Sequence, residues 1–412
     1  MTAAENLFQL LRCSELDQTE FEQVVISYYG HGYHPQPQEI HHARTHRGCA
    51  LRTLYDEDGK LINVLGGPDL ATGELEELRR KIEAELLTQG ATKVRRSVLF
   101  FPAPTVGYFR YRDVFQIVPV PPEAPRPTFL LGDHPLFLEF KVHSSSNFMI
   151  TGLRYRRAAR ELELLLSSLL NLRIWSIGPE TRHHWSIDIS EDAIARPSKF
   201  LQEGYSWSGP VLELDDFSST EHVAAVQQVD PHEYYSSRGI SIDRNFDVPS
   251  DIEQQLDKFF SLPIERREKF LRASYWFQHA HKVFHYSKSA SFIALVSAIE
   301  ALMPPPKAGR QCPHCKQVLG SGPTKQFVDF VEAFIPGGAV PEAQRKRFYR
   351  VRSALSHGGK LLSADHGVWG FTPKELGEGY DRQAMAQIVQ LVLHNWLATA
   401  IRLSGEATSG FS

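Results

Sequence analysis

Gln344-Arg345-Lys346-Arg347-Phe348-Tyr349-Arg350-Val351-Arg352-Ser353-Ala354-Leu355-Ser356-His357-Gly358-Gly359 is the densest concentration of chemistry in this 412-residue chain. Five basic side chains fall within eight positions, with Phe348 and Tyr349 among them. Arginine forks bind phosphate oxygens and aromatic rings stack on unpaired bases, so the equipment suits RNA. The same residues also fit a solvated basic helix face. Gly358-Gly359 marks the end of the helix that carries them.

Arg352 and His357 add reactivity. Histidine exchanges a proton near neutral pH, and arginine holds charge on a phosphorane-like transition state. Together they suffice for cleavage of RNA by its own 2′-hydroxyl. Five positions rotate about 140° around an ideal helix, so the two do not share a face, whereas Arg350, Ser353 and His357 do. A helix loosened at the glycine pair, or a dimer that joins two chains at one cleft, would bring them together. A helix-capping histidine beside a surface arginine is the plainer alternative.

Outward from this stretch, helices dominate after residue 248. The pattern predicts them near 251–260, 264–285, 287–303, 324–335, 341–357 and 381–403. Ser250-Asp251-Ile252-Glu253 is the capped start of the first, and Pro304-Pro305-Pro306 stops the third. Residues 249–412 therefore read as an all-α domain of ordinary size. Glu300 sits on a helix that is apolar nearly all round, where an unpaired carboxylate would cost several kcal/mol. It needs a cation, either Arg352 or another.

Residues 1–248 read as an α+β domain. A hairpin turns at Asp56-Glu57-Asp58-Gly59, helices are expected over 73–89 and 155–170, and strands over 94–101, 107–118, 136–142 and 185–189. Five prolines within 119–127 make an extended connector. No catalytic signature stands out there.

Arg352-Ser353-Ala354-Leu355-Ser356-His357 resembles the R-x4–6-H motif of the HEPN superfamily, all-α domains that commonly act as metal-independent endoribonucleases. The surroundings are similar to its Apea-like branch: Ala298-Ile299-Glu300-Ala301-Leu302 upstream, then Arg-Ser-x-x-Ser-His-Gly-Gly. Residues from about 250 to 405 are covered, and the first 240 are not. Ser353 stands where active members often carry Asn, Asp or His. The α+β N-terminal domain is then followed by an all-α HEPN-like helical bundle, and the resemblance implies a homodimer with a composite cleft. It implies catalysis by Arg352 and His357, with Glu300 orienting the arginine and Ser353 positioning substrate. Arg345, Arg347, Tyr349 and Arg350 are then the RNA-binding side chains. The expected setting is defence against phage or toxin-like growth arrest. The architecture leaves residues 1–248 to sense an unidentified trigger or restrain the nuclease. A non-catalytic module that binds RNA or a partner protein and dimerises is the alternative.

Cys312-Pro313-His314-Cys315 is a knuckle-like pair that would need two further ligands to hold structural zinc. His31, His34, His41, His42, His46 and Cys49 form a second cluster, read as a polar surface loop. His183-His184-Trp185 and His279-x-His281 read as structural. Catalysis of the expected type needs no cofactor. Phosphate-binding-loop, dinucleotide, zinc-protease and nucleophile-elbow motifs are absent, which removes support for those chemistries.

Composition agrees with a folded chain, at 42% hydrophobic, 23% charged and 11% aromatic, and excludes wholesale disorder or a fibre. A net charge of −3 argues against generic DNA coating, so nucleic-acid contact must come from a local patch. Four cysteines are too few for a disulfide scaffold. Residues 1–11 lack an apolar core of signal-peptide length, and no stretch of about 18 apolar residues occurs. A cytoplasmic protein without membrane partners is expected.

Overall fold

The computed structural model describes residues 7–44, 48–88, 90–101, 103–124, 134–170, 175–176, 184–187, 200–203, 212–236, 245–305, 310–311, 318–319, 322–335, 338, 340–366 and 372–399. The chain has a β-rich first part and a helical last part. It divides into two compact units that interleave in sequence. One comprises Met1–Arg95, Phe140–Ala159 and Glu213–Phe217; the other comprises Arg96–Glu139, Arg160–Leu212 and Ser218–Ser412. The change of character at residue 249 is one of secondary structure, and the units are cut elsewhere.

In the first unit, α1 (Gln18–Tyr29) starts at Asp17, whose carboxylate accepts the Glu20 N–H at 3.1 Å. Strands β1 (Tyr33–Gln36), β2 (Glu39–His42), β3 (Leu51–Tyr55) and β4 (Leu61–Gly66) follow one another as an antiparallel meander. The β3–β4 turn is the expected one. Asp56 accepts the N–H groups of Asp58 and Lys60, and Gly59 adopts φ +77°. Helix α2 (Thr72–Ile82) widens into a π-helical turn over Glu83–Leu87. Phe21, Val24, Val25, Leu51, Val64, Leu78 and Ile82 form the core. His34, His41 and His42 of the histidine cluster lie on strands and not in a loop: His41 bonds Glu39 at 2.7 Å, and His42 is buried against Thr53 at 3.1 Å. Burial, then the neighbouring His34 and His41, push the His42 imidazole down to about 4. His46 lies outside the described residues.

Strands β5 (Thr92–Phe101), β6 (Phe109–Tyr111), β7 (Phe115–Pro119) and β8 (His134–His143) build a second sheet with short strands β9 (Trp175–Ser176) and β12 (Glu213–Leu214). Its order is β12-β5-β8-β7-β6, with β9 also on β5, and β5 and β8 contribute residues to both units. β8 is buried almost end to end, as a central strand should be. The single strand expected over 107–118 is instead a hairpin, reversed at Arg112, which takes φ +49° without a glycine to announce it. β10 (His184–Ile187) and β11 (Phe200–Glu203) pair antiparallel. Helix α3 (Phe148–Leu169) begins seven residues before the expected start.

The second unit continues with α4 (Pro231–Ser236) between β13 (Gln227–Val229) and β14 (Asp247–Pro249), which pair in parallel. Helices α5 (Ile252–Ser261), α6 (Ile264–Val283), α7 (Lys288–Leu302), α8 (Pro323–Phe334), α9 (Glu342–Ser356) and α10 (Pro373–Thr399) follow. Helix α7 packs on α6, α9 and α10 and buries Phe292, Leu295, Val296, Ile299 and Leu302, the all-round apolar pattern of a central helix. Asp251 precedes α5 without capping it through its side chain. Its carboxylate instead takes His394 on α10 at 3.0 Å and Gln255 at 2.9 Å. Helix α10 starts eight residues before the expected 381 because Thr372 and Glu375 cap each other reciprocally, with Pro373 at the first helical position. That outweighs Gly377 and Gly379. Among the described residues no helix is long and apolar enough to cross a membrane.

Candidate functional site

The site is assembled by the end of α9 against α7, all within the second unit. Along α9 the buried side chains are Arg345, Phe348 and Leu355, a three-to-four spacing that also takes in Arg352. Phe348 seats its ring against Phe292 of α7, centroids 6.0 Å apart. That contact turns Arg352 towards α7, where its Nη2 donates to Glu300 Oε2 at 2.7 Å. Both side chains remain about one-quarter exposed. Tyr349 lies below, its ring centroid 5.8 Å from the Arg352 guanidinium and 5.2 Å from Phe327 of α8. Burial, then the Glu300 carboxylate, raise the Tyr349 phenol above its ordinary range. Arg352 thus has one donor committed to Glu300, while its Nε is buried without a hydrogen-bond partner.

His357 is not on the helix face. It is the C-cap of α9, with φ −91° and ψ 9°, and its N–H reaches Ser353 O at 3.1 Å. Gly358 follows at φ +69°. The Gly358 N–H donates to Leu355 O at 3.1 Å and the Gly359 N–H to Ala354 O at 2.9 Å, the paired bonds of a Schellman motif. The His357 side chain is exposed, and among the described residues none bonds its imidazole. Ser353 is half-buried, one turn earlier.

The segment after the glycines is clamped back onto the bundle. Asp365 accepts from the Lys288 N–H at 2.6 Å, the Ser289 N–H at 2.7 Å and the Ser287 hydroxyl at 2.9 Å, at the positive end of the α7 dipole. Burial pushes its carboxyl up, but these bonds outweigh burial and hold it below the ordinary range. Ser289 Oγ accepts the Leu362 N–H at 2.9 Å, and Glu378 of α10 accepts the Ser363 N–H at 2.7 Å. Only seven residues separate His357 from Asp365, so the clamp limits where the imidazole can travel.

No protein-family model, curated protein or solved structure matches the chain.

The expected phosphate-gripping cations divide sharply. Arg345 is buried, and its guanidinium is ion-paired with Glu332 of α8. Its place on the inward face with Phe348 and Leu355 explains this. Arg347 is exposed but paired with Asp381 of α10. Arg350 points outward, bonding only the Lys346 carbonyl at 3.4 Å, a weak contact. Tyr349 packs under Arg352 and is half-buried. Cys312 and Cys315 lie outside the described residues, and no metal-holding group occurs among the described ones. Asp365, Phe327 and Glu332 were not expected. Asp365 acts across 77 positions, a separation that no local pattern reports.

Chemically, the site offers an arginine held on one side by a carboxylate and below by a ring, with donors to spare for an anionic oxygen. Beside it in sequence stands an accessible imidazole suited to proton exchange.

Proposed function

We propose that the helices of residues 249–412 form a HEPN-like bundle and that the chain is a metal-independent endoribonuclease. The observation that carries this is the Arg352–Glu300 pair at 2.7 Å, which keeps a guanidinium partly exposed and incompletely spent, five residues before an exposed His357. In this reading His357 takes the proton of a 2′-hydroxyl as O2′ attacks phosphorus. Arg352 neutralises the charge gathering on the non-bridging oxygens. The O2′–P bond forms, the P–O5′ bond breaks, and the departing O5′ takes a proton from solvent. The products carry 2′,3′-cyclic phosphate and 5′-hydroxyl ends. Glu300 and Tyr349 orient the arginine, Ser353 positions substrate, and Arg350 with Lys346 meets the strand. A homodimer facing two such sites, in a defence or growth-arrest setting, belongs to the same proposal.

The test is cleavage of end-labelled single-stranded RNA by the full chain in EDTA. Wild type should release cyclic-phosphate ends, and His357→Ala should lower the rate by about 10²–10⁴-fold. Intact RNA in the wild-type reaction, or equal cutting by the variant, sinks the reading.

A second reading, a binding module without catalysis, has one observation in its favour: no described side chain fixes the tautomer of His357. It requires wild type to bind RNA or a partner protein and leave RNA uncut.

A further inference from the structure

Between Glu268 and Glu300 the sequence has no Asp or Glu, while Lys269, Arg272, Lys282 and Lys288, with His279, His281 and His285, fall within twenty positions. Helix α6 sorts this stretch into two faces. Phe270, Ala273, Ser274, Phe277, Gln278 and Ala280 are buried. Arg272, Tyr275, Trp276, His279 and Lys282 recur at three-to-four spacing on the other side.

Three of them form a ring cluster. Tyr275 and His279 stack with centroids 5.8 Å apart and planes 9° from parallel, and Trp276 meets both edge-on, at 5.5 and 5.9 Å. The Arg160 guanidinium flanks Tyr275 at 5.8 Å from its centroid, fixed by 2.8 Å bonds to Glu163 and Gln278. Glu163, 3.8 Å from Lys282, is itself buried and also accepts from Gln278, so it does not reach the surface. Burial, then the Lys282 ammonium, lower the His279 imidazolium, which favours a neutral ring at pH 7. Past the helix end, Tyr286 is 80% exposed, and Tyr275 is 42% exposed.

We infer that this face of α6 is a track for single-stranded RNA, in which Tyr275 and Tyr286 stack on unpaired bases and Arg272 and Lys282 meet the phosphates. It rests on the ribonuclease reading for its choice of RNA and uses none of that reading's catalytic groups. The exposed residues over 269–286 are Arg272, Tyr275, His285 and Tyr286, with no aliphatic side chain among them. An interface with another protein is built on a desolvated apolar centre, which this face lacks. Exposed rings interleaved with cations, with no carboxylate in the chain from Lys269 to Tyr286, match unpaired bases on a phosphate backbone. A duplex hides its base faces and does not fit.

The test uses the full chain carrying His357→Ala, so that the probe stays whole, and fluorescein-labelled single-stranded oligo-U and oligo-A read by anisotropy. Tyr275→Ala with Tyr286→Ala should raise Kd about tenfold or more, while Tyr→Phe at both positions retains affinity. Arg272→Gln should lower the slope of log K against log salt by about 0.7. A self-duplexed probe should bind more weakly. Unchanged Kd in the double alanine variant, or no RNA affinity at all, overturns the track. So does a wild type that self-associates through this face and is made monomeric by the alanines while Kd holds. The two proposals fail separately. Wild type that cuts RNA, with the double variant binding and cutting equally well, removes the track and keeps the nuclease. RNA binding that depends on the tyrosines, without any cutting, removes the nuclease and keeps the track.

Discussion

Two arginine–glutamate pairs in the same unit combine the same functional groups at opposite degrees of burial. Glu139 on β8 is fully buried, and its two oxygens take Arg96 Nε at 2.9 Å and Nη2 at 2.6 Å, Gln116 at 2.7 Å, and the Ser218 N–H and hydroxyl at 2.9 and 2.6 Å. The Arg96 guanidinium also covers the Phe137 ring at 4.2 Å. Glu300 and Arg352 share one bond at 2.7 Å and stay one-quarter exposed. A buried charge has to be satisfied on every side, because removing water costs several kcal/mol per ion. A charge that is to receive a ligand must not be. Saturation and burial mark the first pair as scaffold, and partial exposure is what the proposed role of the second requires.

The comparison breaks most visibly at Glu139. Glu139→Ala strands the Arg96 charge and should cost about 3–5 kcal/mol in urea unfolding. Burial raises the Glu139 carboxyl, but the bonds from Ser218, Arg96 and Gln116 outweigh it and hold the group below its ordinary value. Its contribution is therefore full above the unfolded-state value and lost as pH falls through the lower folded one. The stability gap between wild type and Glu139→Gln should accordingly shrink below about pH 4. A gap constant down to acid unfolding would refute that assignment.

Arg352→Ala should behave in the reverse manner. Cutting should fall by about 10²-fold or more, while the unfolding free energy drops by under about 1 kcal/mol, as expected of a partly exposed pair. A large loss of stability with activity retained would make this pair scaffold too. Arg345–Glu332 stands between them, with Arg345 only 8% exposed and Glu332 44%. Glu332→Gln should cost about 1 kcal/mol and leave cutting unchanged, since the Arg345 side chain faces inward. Reduced RNA affinity in that variant would return Arg345 to the binding surface.

Features set by neighbours in sequence were legible. Gly358-Gly359 announced the end of α9 because a Schellman turn is closed within six residues. Thr372-Pro373-Lys374-Glu375 carried an equally local start signal for α10, masked by the two glycines after it. The inward turn of Arg345 was also legible, since it shares the period of Phe348 and Leu355. The reversal at Arg112 was not, because nothing in its residue type asks for positive φ.

By itself the sequence determined the β-rich start and the helical end, the helix that carries Arg352, the glycine stop beside His357, and the carboxylate-free stretch of α6. All of these follow from spacing and local backbone preference. Tertiary structure alone decided which cation Glu300 would hold, that Arg345 and Arg347 would be spent on Glu332 and Asp381, and that Asp365 would clamp the segment after His357. Each of those pairings joins residues at least 13 positions apart. Their partners are chosen by how whole helices pack, and no short-range pattern in the chain records that choice.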